Sequence, residues 1–198
     1  MINIKTGGNM KTIMLDMDNV ITDGSFKELI EEFLNIEINL EQTTEYGYVQ
    51  KYTEPFKDEF WEWIKDKNFY ENAPLLDNCK EVLERIKDKY NIFIVTSYLW
   101  KETIDLSSNN LKNKYEYLRK ELPFISPEKY IFTTNKNLLN FDIKIYDRID
   151  NLKGGKIKLL FTAWHNKNIS DEELKKDNII RVNNWQEIEN ILTKELNI

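Results

Sequence analysis

Hydrophobic residues in this 198-residue chain alternate between short continuous apolar runs and longer segments with helical spacing. The apolar runs are only four or five residues long, which is typical of strands buried on both faces of a sheet. Six runs fit this pattern, at 12–16, 92–95, 130–133, 143–146, 158–161 and 179–182. The alternation predicts an α/β fold, a Rossmann-like parallel sheet with helices on both faces.

Amphipathic helices are predicted between these strands. Residues 26–34 and 54–66 have helical, aromatic-rich patterns, and a tyrosine-rich segment joins them. Asp77 is the predicted N-cap of a helix whose inner face carries Val82, Leu83, Ile86 and Tyr90. A polar helix is predicted over about 109–121, and Asn184 marks the start of a last helix.

The domain organisation predicted from this pattern is one α/β core with one insertion. Residues 11–24 and 67–198 are assigned to the core, residues 25–66 to a small helical cap inserted after the first strand, and residues 1–10 to a loose N-terminal leader. A hydrophobic content of 41% is typical of a folded protein, and the chain is long enough to bury a substantial core.

Composition and charge exclude several classes of function. The formal net charge of −6 argues against a nucleic acid polymer as partner, because phosphate-backbone binding requires clustered Lys and Arg. A small phosphate ester remains compatible with this charge, since one lysine and a metal ion can hold it. Cys79 is the only cysteine, so an intrachain disulfide and a cysteine-based zinc site are excluded.

The same sequence features predict a cytoplasmic location. A single cysteine fits a reducing compartment. No apolar run approaches the roughly 20 residues that cross a bilayer, and the N-terminus lacks the apolar core of a signal peptide. We therefore expect no membrane partner, while the sequence leaves a homodimer open.

Polar and charged residues follow four of the predicted strands. In parallel sheets, ligands bind beyond the carboxyl ends of the strands, so these residues are the candidates for chemistry. They are Asp16 and Asp18, Thr96 and Ser97, Lys136, and Asp147, Arg148 and Asp150. Carboxylates that converge on one point repel each other unless a cation lies between them. Mg²⁺ is the natural candidate because it binds few carboxylates together with phosphate oxygens and water.

This set of residues is suited to phosphoryl transfer. Asp16 can attack phosphorus as a nucleophile and form an aspartyl-phosphate. Asp18 can protonate the departing oxygen and then deprotonate the water that hydrolyses the intermediate. Thr96, with nearby backbone N–H groups, can bind the phosphoryl oxygens, and Lys136 can neutralise charge on the nucleophile and the phosphoryl group.

Each of these residues also has a structural interpretation. Asp16 and Asp18 could form a turn at a strand end, and Thr96 and Ser97 could cap a helix. Lys136 could be a solvated surface lysine, since the chain is rich in lysine.

A structural role is expected for two charged or titratable residues that follow the fourth and fifth predicted strands. Arg148 is expected to form a salt bridge with Asp147. His165, the only histidine, lacks partners at metal-ligand spacing and is expected to form a structural hydrogen bond.

The four strand ends carry motifs that resemble those of the haloacid dehalogenase-like phosphohydrolases. The first motif of that superfamily, DxDx[VT], is DMDNV here, the second is IFIVTS, the third is Lys136 in FTTNKN, and the fourth is IYDRID. From about Lys67 to the C-terminus, the chain is also similar to the cytosolic and mitochondrial 5'(3')-deoxyribonucleotidases and their bacterial relatives. The segments KNFYENAPLLDNCKEVLERIKDKYNIFIVTS, NKYEYLRK, DIKIYDRIDN and LLFTAWHNK carry this similarity.

The resemblance implies a Mg²⁺-dependent 5'-nucleotidase that removes phosphate from (deoxy)ribonucleoside monophosphates. It implies that Asp16 and Asp147 bind Mg²⁺ through their carboxylates, and Asp18 through its backbone carbonyl. Substrate-binding residues implied by the resemblance are Asp18, Thr96, Ser97 and Lys136 around the phosphate, Phe69 and Tyr70 with Tyr46 and Tyr48 around the base, and Lys114 near the pocket entrance. Asp150 is implied to support the metal site from outside.

The chain departs from the family pattern at two positions. Asn19 stands where the family usually has Gly, and Asn is the non-glycine residue that best tolerates a left-handed backbone. Tyr146 replaces the first of two adjacent acids, which leaves Asp147 as the metal ligand. The cap matches the family least, so two alternatives stay open: a phosphatase of another small phosphate ester, or a catalytically silent nucleotide-binding protein.

Overall fold

A six-stranded parallel sheet forms the centre of the protein. The structure is a computed structural model that describes residues 2–3, 10–23, 26–39, 48–99 and 104–196. The strands, β1 to β6 in chain order, are Thr12–Leu15, Asn91–Thr96, Tyr130–Phe132, Ile143–Tyr146, Ile157–Phe161 and Ile179–Val182. Their spatial order is β3-β2-β1-β4-β5-β6, and all neighbours are parallel. The predicted parallel α/β sheet is confirmed.

The position of β1 determines where a ligand can bind. β1 lies inside the sheet between β2 and β4, and the strand order reverses direction there. Crossovers on either side of such a reversal leave a crevice at the carboxyl ends of the central strands. The residues that follow β1, β2 and β4 therefore surround one crevice.

The described part of the chain contains seven α-helices. They are α1 Phe26–Leu34, α2 Tyr48–Thr53, α3 Lys57–Ile64, α4 Cys79–Ile86, α5 Ser107–Glu121, α6 Asp171–Lys176 and α7 Trp185–Leu196. Short 3₁₀ helices span Glu54–Phe56, Ile104–Leu106, Pro127–Lys129, Lys136–Leu138 and Ile149–Leu152, and Ile2–Asn3 pairs with Leu139–Asn140 as a small parallel ladder. In the part of the chain that the structure describes, no helix is both long and apolar enough to span a membrane.

The sheet separates two apolar cores. Successive residues of a strand point to opposite faces. Ile13 and Leu15 of β1 accordingly belong to the larger core, with α4 and α7, whereas Met14 belongs to the smaller core, with Leu174 of α6. Cys79 is fully buried in the larger core. Helices therefore cover both faces of the sheet.

The start of α4 differs from the prediction. Asn78, not Asp77, is the N-cap residue, and its φ of 61° places it in the left-handed region, which Asn tolerates. Tyr90 lies beyond the end of α4 but is fully buried, as predicted, and its hydroxyl donates to the Leu192 carbonyl oxygen at 2.6 Å. This contact joins α7 to the loop that leads into β2.

The described part of the segment predicted as a cap is mainly helical and packs through aromatic side chains. The Phe33 ring lies 5.3 Å from the Phe60 ring and 5.4 Å from the Trp63 ring, which links α1 to α3. Phe60 and Ile64 are fully buried. The division of residues 25–66 from the core as a cap stays a prediction.

The half-buried carboxylate of Asp142 connects the start of β1 to the loop before β4. Oδ2 of Asp142 accepts hydrogen bonds from the Thr12 backbone N–H at 2.9 Å and the Thr12 hydroxyl at 2.8 Å, and Oδ1 accepts from Lys156 Nζ at 2.8 Å. Partial burial by itself raises the pKa of Asp142, but these hydrogen bonds outweigh it and lower the pKa from 3.8 to about 2.

Asp142→Asn is expected to lower the free energy of unfolding by about 1 kcal/mol at pH 7, because the charge-assisted bonds are lost in a partly exposed site. A folded-state pKa below the unfolded value means that the carboxylate stabilises the fold above about pH 4 and loses this effect as pH falls toward 2. Urea unfolding of both proteins at several pH values between about 3 and about 7 measures this difference in unfolding free energy. The exposed Asp88→Asn serves as the control, and a difference that did not shrink on acidification would contradict the assignment.

Candidate active site

Asp16 lies directly after β1 and is held at both carboxylate oxygens. Its backbone N–H donates to the Ile145 carbonyl oxygen at 3.1 Å, which continues the ladder between β1 and β4. Oδ1 accepts from the Met17 N–H at 2.8 Å, and Oδ2 accepts from Lys136 Nζ at 2.7 Å. The side chain is 7% exposed, so its orientation is set by these contacts.

The electrostatic environment of Asp16 favours a bound cation. Burial raises the pKa of Asp16 to about 6; Lys136 opposes the shift, while the carboxylates of Asp147 and Asp18 add to it. Positive charge placed between these acids would stabilise their ionised forms. The site thus combines a buried nucleophile candidate with carboxylates that repel each other.

Asp147, after β4, faces Asp16 and accepts two hydrogen bonds at the same oxygen. Asn19 Nδ2 and His165 Nε2 each lie 2.9 Å from Asp147 Oδ2, and Asn166 Nδ2 donates to the Asp147 carbonyl oxygen at 2.7 Å. The φ of Asn19 is 58°, so the predicted left-handed turn is confirmed. The additional contact of the Asn19 amide with Asp147 could not be predicted from local sequence.

Asp18 is held by a tyrosine and a lysine. The Tyr70 hydroxyl donates to Oδ1 at 2.7 Å, and Lys114 Nζ donates to Oδ2 at 2.5 Å. Lys114 Nζ also donates to the Thr96 hydroxyl at 2.7 Å. Lys114 is 2% exposed, so the expected position near the pocket entrance is wrong: the ammonium lies inside the site and connects the ends of β1 and β2.

The charge of Asp18 follows from these contacts. Burial raises the pKa of Asp18. The Lys114 ammonium and the hydrogen bonds from Lys114 and Tyr70 together lower it by more than burial raises it, so the net shift is downward. Asp18 is therefore a carboxylate at neutral pH in this arrangement. The Tyr70 hydroxyl, whose pKa is raised by burial and by this carboxylate, stays protonated as the donor.

The aromatic residues predicted to enclose a base have other contacts. Phe69 is fully buried and stacks on Phe26, with ring centroids 5.8 Å apart, so the prediction that its ring contacts a base is corrected: no face is open. Tyr70 is 6% exposed and points its hydroxyl at Asp18. Tyr46 lies outside the described residues, as does the side chain of Tyr48.

Three further predicted positions lie beside this cluster. Ser97 is half-buried directly after Thr96. Asp150 is exposed and pairs with Lys153 at 3.3 Å, so the expected support of a metal site by Asp150 is replaced by a surface ion pair. Arg148 is exposed, and among the contacts of the described residues Asp147 meets His165 rather than Arg148, so the expected salt bridge between Arg148 and Asp147 is not found there.

Tyr146 occupies the position where the resembling family has an acid. Its hydroxyl donates to the Val95 carbonyl oxygen at 2.7 Å, and Lys136 Nζ lies 4.6 Å from the centre of its ring. Burial raises the pKa of Tyr146, so the side chain is neutral. The cation–π contact partly replaces the charge that an acid would place near Lys136.

A cleft of about 540 Å³ opens beside the cluster. It is lined by Asn19, Asp23, Leu76, Phe161, Thr162, Ala163, Trp164 and Lys167. Asn19 is shared between this cleft and the carboxylate of Asp147. The cleft therefore adjoins Asp147, but Asp16, Asp18 and Asp147 do not line it.

The donor set is too small for a metal site built from protein side chains alone. Among the described residues, no three His, Cys, Asp or Glu side chains are grouped as a ready metal site. Mg²⁺ needs fewer protein carboxylates than that, because phosphate oxygens and water complete its octahedral shell. The two buried carboxylates of Asp16 and Asp147 fit such a shell.

Two solved structures of hydrolases have a similar fold. A HAD-hydrolase of Bacillus subtilis bound to magnesium has a TM-score of 0.55 and 13% identity, over 93% of this chain and 99% of that chain. A haloacid dehalogenase-like family hydrolase of Xanthomonas campestris has a TM-score of 0.50 and 10% identity, over 95% of this chain and 96% of that chain. The predicted haloacid dehalogenase-like core is confirmed.

Sequence relatives cover nearly the whole chain. The 5'(3')-deoxyribonucleotidase of Bacillus subtilis (strain 168) is 29% identical over 196 residues, which is 90% of this chain and 96% of the relative. The 5'(3')-deoxyribonucleotidase of Bacillus phage SPbeta gives the same values. Residues 9–196 match the family described as 5' nucleotidase, deoxy (pyrimidine), cytosolic type C protein. Together with the acidic cluster at the end of β1, this match shows that the chain belongs to the cytosolic type C family of 5' nucleotidases, deoxy (pyrimidine).

Proposed function

We propose that this protein is a Mg²⁺-dependent phosphatase that hydrolyses the phosphate monoester of deoxyribonucleoside monophosphates. The observation that carries the proposal is the convergence of Asp16, Asp18, Lys114 and Lys136 on one point at the carboxyl end of the sheet. Family membership and the names of the two Bacillus relatives support the substrate class. The cytoplasmic location and the oligomeric state stay predictions.

In the first step, a carboxylate oxygen of Asp16 attacks phosphorus and forms a P–O bond, while the bond between phosphorus and the sugar oxygen breaks. The departing oxygen takes a proton from Asp18, so the nucleoside leaves as a neutral alcohol. Asp16 is held at both oxygens by Met17 and Lys136, and this fixes the direction of attack.

In the second step, Asp18 removes a proton from a water molecule whose oxygen attacks the aspartyl-phosphate. The bond between phosphorus and the Asp16 oxygen breaks, which releases orthophosphate and regenerates both carboxyl groups. One residue thus serves as acid and then as base, and its position two residues after the nucleophile suits both tasks.

Cationic and polar groups balance the charge of the transferred phosphoryl group. Lys136 Nζ lies beside the nucleophile, and Lys114 Nζ lies between Asp18 and the Thr96 hydroxyl. Preorganised donors of this kind stabilise charge that develops during reaction, in a site that excludes water. Thr96 is the last residue of β2 and Ser97 follows it, and we expect both to bind phosphoryl oxygens.

Asp16 and Asp147 would hold the Mg²⁺ ion through their carboxylates, and Asp18 through its backbone carbonyl. The raised pKa of Asp16 reflects its burial and the repulsion that such an ion would relieve. When bound, the ion supplies charge neutralisation and orientation for the phosphate oxygens.

Asp18 must be protonated for the first step, whereas Lys114 and Tyr70 favour its ionised form. A phosphate dianion in the site competes with Asp18 for the Lys114 ammonium. It also adds negative charge nearby, which favours proton uptake by Asp18. Substrate binding would therefore prepare the acid.

Phosphate release from a panel of substrates tests this function. We expect turnover of dUMP, dTMP and related deoxyribonucleoside monophosphates, and weak turnover of sugar phosphates, with a loss of at least about 100-fold on addition of a metal chelator and recovery with Mg²⁺. A colorimetric phosphate assay measures both effects.

The same panel separates the alternatives. Turnover of sugar phosphates without turnover of deoxyribonucleoside monophosphates would favour a phosphatase of another small ester. Binding of a nucleotide without phosphate release, at any Mg²⁺ concentration, would favour a catalytically silent nucleotide-binding protein.

A further inference from the structure

The loop that follows β5 reaches back to Asp147. Its residues 163–167 form a tight turn in which the backbone N–H groups of Asn166 and Lys167 both donate to the Ala163 carbonyl oxygen at 3.1 Å. The turn places His165 beside Asp147, with the imidazole Nε2 2.9 Å from Asp147 Oδ2. The His165 side chain is 7% exposed, so the imidazole is part of the protein interior.

Asn166 fixes this turn to the strands on both sides. Its Nδ2 donates to the carbonyl oxygens of Phe161 at 2.8 Å and Asp147 at 2.7 Å, while its Oδ1 accepts from the Ala163 N–H at 3.1 Å. Arg181 of β6 donates to the same Oδ1 at 3.2 Å. With these bonds Asn166 cannot shift freely, and neither can the backbone of Asp147 or the adjacent His165.

The two oxygens of Asp147 have different environments. Oδ2 accepts from both Asn19 Nδ2 and His165 Nε2, whereas no described residue donates a hydrogen bond to Oδ1. An ionised carboxylate is only an acceptor, so Nε2 of His165 must carry the proton in this contact. The two donors therefore fix the plane of the carboxylate and leave Oδ1 as its available oxygen.

We propose that His165 is a positioning residue that, together with Asn19, presents Oδ1 of Asp147 to the Mg²⁺ site. The proposal rests on the proposed function, since that function supplies the ion. Hydrogen-bond donors to a ligating carboxylate restrict its rotation, and loss of such a partner typically weakens metal binding by about 10- to 100-fold. The T-shaped contact between the Trp164 and His165 rings, with ring centres 4.9 Å apart, further limits rotation of His165.

Mg²⁺ binding to the full chain without substrate tests the proposal by isothermal titration calorimetry. We expect His165→Ala to bind Mg²⁺ about 10- to 100-fold more weakly than the wild type. His165→Gln should recover most of the affinity, because its side-chain amide can place a donor near the position of Nε2. His165→Asn, whose amide is too short to reach Oδ2, should remain as weak as His165→Ala.

The controls separate positioning from general damage. Asn168→Ala changes an exposed residue of the same chain segment and should bind Mg²⁺ as the wild type does. In steady-state assays, His165→Ala and His165→Asn should need more Mg²⁺ for half-maximal rate than the wild type and His165→Gln, with an unchanged KM for dUMP at saturating Mg²⁺. If His165→Ala does not fold, the comparison of His165→Gln with His165→Asn still decides the question.

Three outcomes would overturn the inference. Wild-type affinity in both His165→Ala and His165→Asn would show that Asp147 needs no support from the imidazole. Equal weakness of the Gln and Asn variants would show that the hydrogen bond is not the cause. Lack of Mg²⁺ binding by the wild type would overturn the metal dependence of the proposed function as well, which distinguishes the two failures.

Discussion

Replacement of Asp16 by Asn is expected to reduce phosphate release from deoxyribonucleoside monophosphates by at least about 10⁴-fold. The amide is nearly isosteric with the carboxylate but is not a nucleophile, so the P–O bond to the enzyme cannot form. An activity loss of this size is the mark of a group that reacts with the substrate. A merely positioning group would cost less.

Folding of the Asp16→Asn variant should be close to normal. Lys136 loses an ionic partner at 2.7 Å, which is costly for a buried ammonium. The substitution also removes the burial penalty of Asp16 and its repulsion from Asp147, which are the sources of its raised pKa. Lys136 keeps the ring of Tyr146 at 4.6 Å. These opposing effects predict a modest change in thermal stability.

The measurement compares kcat of Asp16→Asn with that of the wild type and of Asp88→Asn, which makes the same chemical change at an exposed position. Rapid quenching with radiolabelled substrate should trap a phosphorylated wild-type enzyme and no phosphorylated Asp16→Asn. Activity of Asp16→Asn equal to that of the wild type would contradict the mechanism, as would phosphate bound covalently to the variant.

The sheet could be predicted from sequence because each strand is a short, mainly apolar run, and the central strands β1, β2 and β4 are buried along their whole length. The run TIML of β1 ends at Asp16, and its pattern determines both the strand and the edge to which it delivers the acid. The conformation of Asn19 is also determined locally, since its left-handed backbone follows from its residue type and its place in a turn. Local physics is sufficient for such features.

One missed element had a visible signal. Ser170 and Glu173 form a capping box at the start of α6, with the Ser170 hydroxyl accepting from the Glu173 N–H and the Glu173 carboxylate accepting from the Ser170 N–H. A serine followed three residues later by glutamate is the sequence pattern of this motif. The short helix that follows could therefore have been predicted.

The polar contacts of the site could not be predicted because they join residues far apart in the chain. Lys114 lies on a helix that reads as polar and exposed, yet its ammonium is buried against Asp18, 96 residues earlier. The aromatic pattern near Phe69 is equally consistent with a ring buried in the core and with a ring that contacts a base. Only packing decides between these, and for Phe69 it favours Phe26.

The second large effect is expected for Asp18→Asn, which should lose about 10²- to 10⁴-fold in kcat while still binding nucleotide and Mg²⁺. The amide cannot give a proton to the departing oxygen or take one from water, but its backbone carbonyl is unchanged. Lys114 would lose the carboxylate 2.5 Å away, so some loss of thermal stability should accompany the change. Bound phosphate can replace this partner and should restore stability.

The decisive comparison is with Asp147→Asn. Both variants lose one negative charge. Of these two residues, Asp147 alone is proposed to bind Mg²⁺ through its carboxylate. Calorimetric titration should therefore give near-normal Mg²⁺ affinity for Asp18→Asn and weak binding for Asp147→Asn, with KM for dUMP little changed in the former. Equal loss of Mg²⁺ affinity in the two variants would contradict the proton-transfer role, because the Asp18 carboxylate would then act on the ion rather than on the substrate.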